Sequence, residues 1–412
     1  MMYWALLLAG SALTGLSVSS LLLRKPAPVK TAVMVLAILV AFYQIEFALW
    51  FLGIDLGDRL GMHFARLLKQ GMQVDLRTPV QVITDMRGHG VRPVPLLSPS
   101  ETLHGGIVTT VFPLAGVSRA VTVLCNENGH YVTYTSDEHG FRNPQGLWGQ
   151  GHPLNAAVMG DSFANGGCVQ DGEELASHVR KRFPATINLG IGGTGPLIQL
   201  AIMREYLPYL RPRLVLWFYY ENDLGDLETE LGNSFLRQYL DPRFSQDLIH
   251  RQGEVDSYLT DLIEDHLRRS HARPPAKQSP AARALLLARV RRLMASPFER
   301  PPAPAPVIAE TYAQIVGIAN KLVTTQGGKL HLIYLPDWVR MNRSADDPHY
   351  RQKERVLAAA AQSKLPVIDV YATFRAYPAP ASRFFEYPGS HYNARGYQVA
   401  AEYVLERIEN NR

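Results

Sequence analysis

The sequence predicts an α/β fold with a parallel sheet in its C-terminal part, preceded by apolar helices and a small β-rich region. Short apolar strands alternate with helices from Ala156 to Tyr219, which is typical of parallel strands joined by helical crossovers. Residues 1–23 carry no charged side chain, and β-branched residues concentrate between 74 and 135. These three observations divide the chain into regions of different structure.

The N-terminal region is predicted to be a transmembrane helical hairpin over residues 1–55. Residues 31–53 contain Glu46 as their one charged side chain, and about 20 apolar residues are enough to span a bilayer. Residues 56–73 repeat apolar side chains such as Phe64 at helical spacing and predict an amphipathic connecting helix. It would lie either on the membrane surface or against the domain that follows.

A β-rich region is predicted over residues 74–150, with strands at 80–83, 106–112, 120–124 and 130–135 and a hairpin turn at 127–129. Residues 151–412 form the predicted α/β domain, and residues 224–305 interrupt its alternation of strands and helices. That insertion has proline-rich flanks. A lid over the active-site edge and a membrane-contacting segment are both compatible with it.

Composition limits the classes of protein. The chain has 412 residues and a formal net charge of +5, but its basic residues are not interleaved with aromatic ones, so nucleic acid is not an expected partner. Its two cysteines, Cys125 and Cys168, exclude a disulfide scaffold and a cysteine-based zinc site. We predict two buried thiols, with one bridge in an oxidising compartment as the alternative, and expect no metal or cofactor.

The strongest chemical signal is the segment from Asn155 to Phe163, where an apolar strand ends in Gly160-Asp161-Ser162. Parallel sheets present reactive groups at the carboxyl ends of their strands. Ser162 is the first nucleophilic side chain beyond the strand. Asp161 is expected to hold the turn by hydrogen bonds.

Three later segments supply the groups that an activated serine needs. The glycine-rich turn within 187–195 exposes backbone N–H groups, and the strand 214–219 leads into an asparagine at position 222; both suit an oxyanion. His391 lies in a loop before a predicted helix, where an imidazole could accept the serine proton.

The order and contexts of these residues resemble the SGNH (GDSL) hydrolase superfamily. The resemblance covers roughly residues 150–412 and implies a flavodoxin-like three-layer α/β/α domain. It also implies that Ser162 is the nucleophile, that Ser162, Gly193 and Asn222 form the oxyanion hole, and that His391 is the base. Residues 137–143 are similar to a segment that often precedes the nucleophile in membrane-anchored bacterial envelope members.

The acid that orients the histidine is not at its usual place. The superfamily commonly has an aspartate two or three residues before the histidine, whereas this chain has Pro388 and Gly389. Glu386 is therefore the predicted orienting acid, and a backbone carbonyl in a Ser–His dyad is the alternative. Asp137 and His139 form an Asp-x-His pair like that of some related O-acetyltransferases, but a structural role is favoured for them.

The function predicted from these features is hydrolysis of acyl esters, O-acetyl above all, on an envelope glycan or similar substrate. An O-acetyltransferase and a non-catalytic glycan-binding module are the alternatives. Residues 1–72 are expected to contact membrane lipid. Arg24, Lys25 and Lys30 lie between the two apolar segments, so the positive-inside rule places the catalytic domain on the outer side of the cytoplasmic membrane.

Overall fold

The computed structural model describes residues 27–51, 58–103, 111–149, 153–272, 286–295, 306–342 and 351–410. They belong to two compact units. One unit comprises residues 1–70 and 273–301, and the other comprises residues 71–272 and 302–412.

The described helices and strands are numbered in chain order. The helices are α1 Ala27–Phe51, α2 Arg59–Lys69, α3 Pro79–Gly88, α4 Pro99–Leu103, α5 Ser162–Asn165, α6 Leu175–Arg180, α7 Pro196–Leu210, α8 Asp223–Leu231, α9 Ser234–Arg237, α10 Gln252–Ala272, α11 Ala288–Ala295, α12 Pro306–Thr325, α13 Trp338–Asn342, α14 Arg351–Gln362, α15 Tyr371–Arg375, α16 Pro380–Phe384 and α17 Ala394–Asn410. The strands are β1 Val94–Pro95, β2 Val121–Val123, β3 Thr133–Thr135, β4 Ala156–Met159, β5 Thr186–Asn188, β6 Leu214–Tyr219, β7 Lys329–Tyr334 and β8 Val367–Asp369.

The smaller unit contains α1, α2 and α11. Glu46 of α1 is buried and accepts hydrogen bonds from the backbone N–H groups of Arg289 and Val290, each at 2.9 Å, and from the Arg289 guanidinium at 3.0 Å. A carboxylate at the start of α11 is favourable because a helix N-terminus carries partial positive charge. Glu46 is therefore a structural partner of the insertion.

The transmembrane hairpin is not supported by the structure. Residues 1–26, which hold the first predicted span, lie outside the described residues. Among the helices that are described, none meets the length and apolarity needed to cross a membrane.

The larger unit is built on a five-stranded parallel sheet with the order β5-β4-β6-β7-β8. Numbered within the sheet, this is 2-1-3-4-5, the flavodoxin-like order. The chain moves from β4 to β5 on one side and then returns to build β6, β7 and β8 on the other side. The predicted α/β class with a parallel sheet is confirmed.

Helices cover both faces of this sheet. Along β6, Val215, Trp217 and Tyr219 belong to one apolar core, and the alternate residues Leu214, Leu216 and Phe218 belong to the other. Every residue of β6 is buried. Successive strand side chains point to opposite faces, so a continuous apolar strand requires a layer of helices on each side.

The smaller sheet has the order β1-β2-β3, with β1 and β2 parallel and β2 and β3 antiparallel. The strand predicted at 80–83 is wrong, because these residues lie in α3. Thr78 and Gln81 form a capping box at the start of that helix, and Pro79 follows the cap, which favours a helix over a strand. The predicted strand at 106–112 falls largely on residues outside the described part.

Helix α10 of the insertion packs on the β-rich part of the larger unit. Asp256 accepts hydrogen bonds from the backbone and hydroxyl of Ser118, at 2.8 and 2.6 Å, and Glu264 pairs with Arg87 at 2.7 Å. Its apolar residues Val255 and Leu259 join the main core. These contacts describe a structural helix and lend no support to a lid.

Candidate active site

Ser162 is held by a turn that needs glycine. Gly160 follows β4 with φ +143°, and a Cβ there would lie 2.5 Å from the Phe218 carbonyl oxygen of β6. The Asp161 carboxylate accepts the Phe163 N–H at 2.9 Å and caps α5, which starts at Ser162. The serine therefore emerges where β4 ends, between β5 and β6, at the switch point where open α/β sheets bind ligands.

His391 lies directly beside this serine. Its Nε2 is 2.8 Å from the Ser162 Oγ, although the two residues are 229 positions apart. Gly167 packs against the imidazole so closely that a Cβ there would lie 2.5 Å from the ring Cδ2. The contact fixes one side of the ring.

The partner of the other ring nitrogen is Glu127, from the segment between β2 and β3. Its Oε1 is 3.0 Å from Nδ1 of His391, and its Oε2 accepts the His391 backbone N–H at 2.8 Å. The prediction that Glu386 orients the histidine is therefore wrong. The Glu386 backbone N–H instead donates to Ser390 at 3.1 Å.

The electrostatics of the imidazole follow from its surroundings. Burial of the ring opposes protonation, but the hydrogen bond and charge of Glu127, together with the charge of Asp161, outweigh burial and raise the pKa of His391. Burial also raises the pKa of Asp161 to about 6. The histidine therefore sits among acids that favour its protonated form.

Two of the three predicted oxyanion donors are backbone N–H groups, those of Ser162 and Gly193. Within the described residues, the backbone N–H groups of Ser162 and Gly193 donate no hydrogen bond. The turn contacts the serine through Gly192, where a Cβ would lie 3.5 Å from the Ser162 Cβ. Gly193 has φ +69°, and its carbonyl accepts the Ser98 hydroxyl at 2.9 Å.

Asn222 follows β6 and is exposed. Its side-chain amide donates to Asp226 at 2.7 Å, and the same amide lowers the pKa of Asp161 against the larger effect of burial. The amide is thus next to the residue that precedes the nucleophile. An amide carries two N–H donors, and Asp226 accepts one of them.

Asp137 and His139 have structural partners. The Asp137 carboxylate accepts hydrogen bonds from Trp148 and Asn143, each at 2.7 Å, and from the backbone of Phe141. The His139 ring packs against Trp148 in a tilted arrangement, with 4.2 Å between the ring centroids, and its Nδ1 lies 3.1 Å from the Gln252 side-chain oxygen. This buried network joins the segment 137–143 to the core.

The two cysteines form a disulfide, with 5.4 Å between their Cα atoms. The prediction of two free thiols is therefore wrong, and the alternative of one bridge is the observed state. Cys168, Glu127 and His391 place a possible ligand atom each within 4.8 Å of one another. Because the sulfur of Cys168 is bonded to Cys125, it cannot act as a thiolate ligand in this state.

Ser162, His391 and Glu127 have the geometry of a Ser–His–Glu triad at the carboxyl edge of a flavodoxin-like sheet. In such a series the base accepts the serine proton, and the carboxylate fixes the tautomer and orientation of the ring. Sequence reasoning missed Glu127 because it lies 264 positions from His391. The one signal near it is Cys125, whose bridging partner follows Ser162 by six residues.

No protein-family model and no curated protein matches the sequence. Among solved structures, the chain is similar to a lipase/acylhydrolase from Enterococcus faecalis, with 15% identity, 63% of this chain and 96% of that chain covered, and a TM-score of 0.35. It is also similar to the acetyl xylan esterase AlAXEase, with 12% identity, coverage of 62% and 100%, and a TM-score of 0.37. A two-domain esterase active on acetylated mannans gives 15% identity, coverage of 62% and 48%, and a TM-score of 0.35. The case for function comes from the geometry of the site.

Proposed function

We propose that the protein is a serine ester hydrolase with Ser162 as nucleophile, His391 as general base and Glu127 as the orienting acid. The observation that carries this proposal is the hydrogen-bonded series from Ser162 Oγ through His391 Nε2, at 2.8 Å, to Glu127 at Nδ1, at 3.0 Å. A serine is a weak nucleophile until an adjacent base takes its proton. This geometry provides that base.

The reaction proceeds in two acyl-transfer steps. His391 takes the Ser162 proton as Oγ attacks the ester carbonyl, and then gives that proton to the leaving alcohol oxygen as the tetrahedral intermediate collapses to an acyl-enzyme. A water molecule, deprotonated by the same imidazole, releases the acid and restores the serine. The N–H groups of Ser162 and Gly193 and the Asn222 amide are the proposed oxyanion donors, each worth about 3 to 4 kcal/mol in the transition state.

The acyl group is proposed to be short, with acetyl as the smallest common case. Gly192 lies beside the nucleophile, since a Cβ on it would be 3.5 Å from Ser162 Cβ, and Leu96 lies beside Gly192, since the same Cβ would be 3.7 Å from Leu96 Cδ2. An acylated glycan of the cell envelope is the proposed carrier. It fits the compartment proposed next.

The catalytic unit is proposed to work outside the cytoplasm, attached to the cytoplasmic membrane. The Cys125–Cys168 bridge supports an oxidising compartment, because cytosolic proteins rarely keep disulfides. Helix α1 supports a lipid or protein contact, because Val35, Leu36 and Phe47 are more than half exposed.

The test is ester turnover by the purified full-length chain. Aryl acetates, longer aryl esters and acetylated glycans serve as substrates, and Ser162→Ala should lower kcat/KM by about 10³-fold or more. The wild type should also be labelled covalently by a fluorophosphonate, and the variant should not. Acyl transfer to an added glycan faster than acid release would identify a transferase instead. Glycan binding without labelling or turnover would identify a non-catalytic module.

A further inference from the structure

The acid of the triad comes from a different sheet than the serine. Glu127 lies between β2 and β3 of the three-stranded sheet, whereas Ser162 follows β4 of the five-stranded sheet. Its contact with the imidazole therefore depends on how the 125–132 segment is held against the α/β core. A hydrogen bond requires its donor and acceptor atoms to lie about 3 Å apart. A small shift of this segment would therefore break the contact between Glu127 and the imidazole.

One covalent link joins these two segments. Cys125 precedes Glu127 by two residues, and Cys168 follows Gly167, the residue packed on the His391 ring. The sulfur of Cys168 lies within 4.8 Å of a carboxylate oxygen of Glu127 and of a ring nitrogen of His391. The bridge thus connects the backbone that carries the acid to the backbone that supports the imidazole.

The backbone at Cys168 is also unusual. Its φ is +59°, in the left-handed region that residues with a Cβ adopt at a cost. The residue is buried, and the preceding Gly167 donates its N–H to the Ser162 carbonyl at 2.7 Å. Surrounding contacts must hold Cys168 in this conformation, and the covalent bond to Cys125 is one of them.

We propose that Cys125 and Cys168 are positioning residues, whose disulfide holds Glu127 on His391 and makes catalysis depend on oxidation. This inference rests on the proposed hydrolase activity. A dithiol reductant would supply two electrons and two protons: the S–S bond breaks, two thiols form, and the reductant closes into its own cyclic disulfide. The freed 125–132 segment then loses its fixed distance from the imidazole.

Losing the carboxylate has a specific signature. Glu127 raises the pKa of His391 against the effect of burial, so separation of the two lowers that pKa. The ring also loses its orienting partner, which lowers kcat more than it raises KM. A general loosening of the fold would also separate these two groups, so the signal of the folded tertiary structure has to be followed beside the pKa.

The experiment compares full-length oxidised protein with protein reduced by dithiothreitol in the presence of EDTA, so that no metal can bind the new thiols. Reduction should lower kcat by about 10-fold or more, change KM by less than about 3-fold, and move the acidic limb of the pH–rate profile to lower pH. Cys125→Ser/Cys168→Ser should match the reduced wild type and should not respond to reductant. Glu127→Gln should respond to reduction by less than about 2-fold, because its carboxylate is already lost.

The pKa of His391, measured by NMR on histidine-labelled Ser162→Ala protein, decides the inference independently of turnover. If oxidised wild type shows no Ser162-dependent activity, the hydrolase proposal fails while this pKa still tests the role of the bridge. An unchanged pKa and kcat after reduction would overturn the inference. So would a response of Glu127→Gln equal to that of wild type, or loss of the near-ultraviolet circular dichroism signal on reduction, because the bridge would then serve the fold as a whole.

Discussion

Both carboxylate oxygens of Glu127 contact His391. One accepts the backbone N–H of the histidine, and the other lies at Nδ1 of its ring. The two contacts fix the position of the loop and the rotation of the ring together. Each is charge-assisted and largely shielded from water, because the Glu127 side chain is 14% exposed. A charge-assisted hydrogen bond in such a place is stronger than a neutral one.

Glu127→Gln is therefore expected to lower kcat/KM by about 10²- to 10⁴-fold, because the amide leaves the imidazole in mixed tautomers. Activity requires neutral His391, so it rises as pH increases through the raised pKa of this histidine. In the variant that pKa falls, and the acidic limb of the profile moves to lower pH. A pH–rate profile measures both changes.

Glu386→Gln is the matched control, because it makes the same substitution at the glutamate that the sequence predicted as the orienting acid. It should leave the rate and the pH profile unchanged. The free energy of unfolding gives a second readout. The stabilising effect of Glu127 on His391 is fully present below the ordinary histidine pKa of about 6.5 and is lost as pH rises through the folded value. Equal effects of the two variants would contradict the assignment of Glu127.

At this scale the sequence predicted Ser162 and His391 as neighbours, and their side chains are in hydrogen-bond contact. Both residues follow local signals, a glycine turn after a strand and a loop before a helix. The acid follows no local rule, because its place depends on how one sheet packs on another. Cys125 would have pointed to it only after the disulfide was known.

Among the elements, α7 and α8 are joined by a buried carboxylate that binds the start of α7, just after the turn of Gly192 and Gly193. Glu230 of α8 accepts the backbone N–H of Gly195 at 2.6 Å and that of Leu197 at 2.9 Å, with Ile198 N–H at 3.4 Å. It thereby caps α7. Burial raises the pKa of Glu230 to about 8, while these hydrogen bonds act in the opposite direction.

Removing this cap should be costly. Glu230→Ala leaves buried N–H groups without an acceptor and is expected to lower the free energy of unfolding by about 3 kcal/mol or more. Glu228→Ala, at an exposed position of the same helix, should change it by less than about 0.5 kcal/mol. Denaturant unfolding of both variants provides the measurement.

The pH dependence adds a check on the same pair. Because the folded pKa of Glu230 lies above its ordinary value of 4.5, its contribution to stability is present below about pH 4.5 and is lost as pH rises through about 8. The difference between wild type and Glu230→Ala should shrink over that range. A difference that grows with pH would show that the carboxylate is ionised in the folded protein.

The elements of the α/β core were predictable because continuous apolar strands alternate clearly with helices along the sequence. Strand β6 spans the predicted residues Leu214–Tyr219. The β-rich region was harder. Residues 80–83 have strand-like side chains, but the Thr78–Gln81 capping box and Pro79 determine a helix there.

At the scale of the whole molecule, the proposed activity depends on the redox state of the compartment, because the disulfide lies close to the triad. All three triad residues and both cysteines lie in the larger unit, within residues 71–272 and 302–412. Apolar helix α1 belongs to the other unit. The proposed location outside the cytoplasm would keep the bridge intact, whereas the reducing cytosol would open it.

The oxidation state in the cell tests this location. The chain contains two cysteines in all, so a thiol-reactive mass tag added to acid-quenched cells should modify neither one unless a reductant is added first, and then both. Cys125→Ser/Cys168→Ser, which has no thiol, fixes the mobility of the untagged chain. Two tags without prior reduction would place the protein in a reducing compartment, where Glu127 would lack its covalent support and the proposed hydrolase would work at its low, reduced rate.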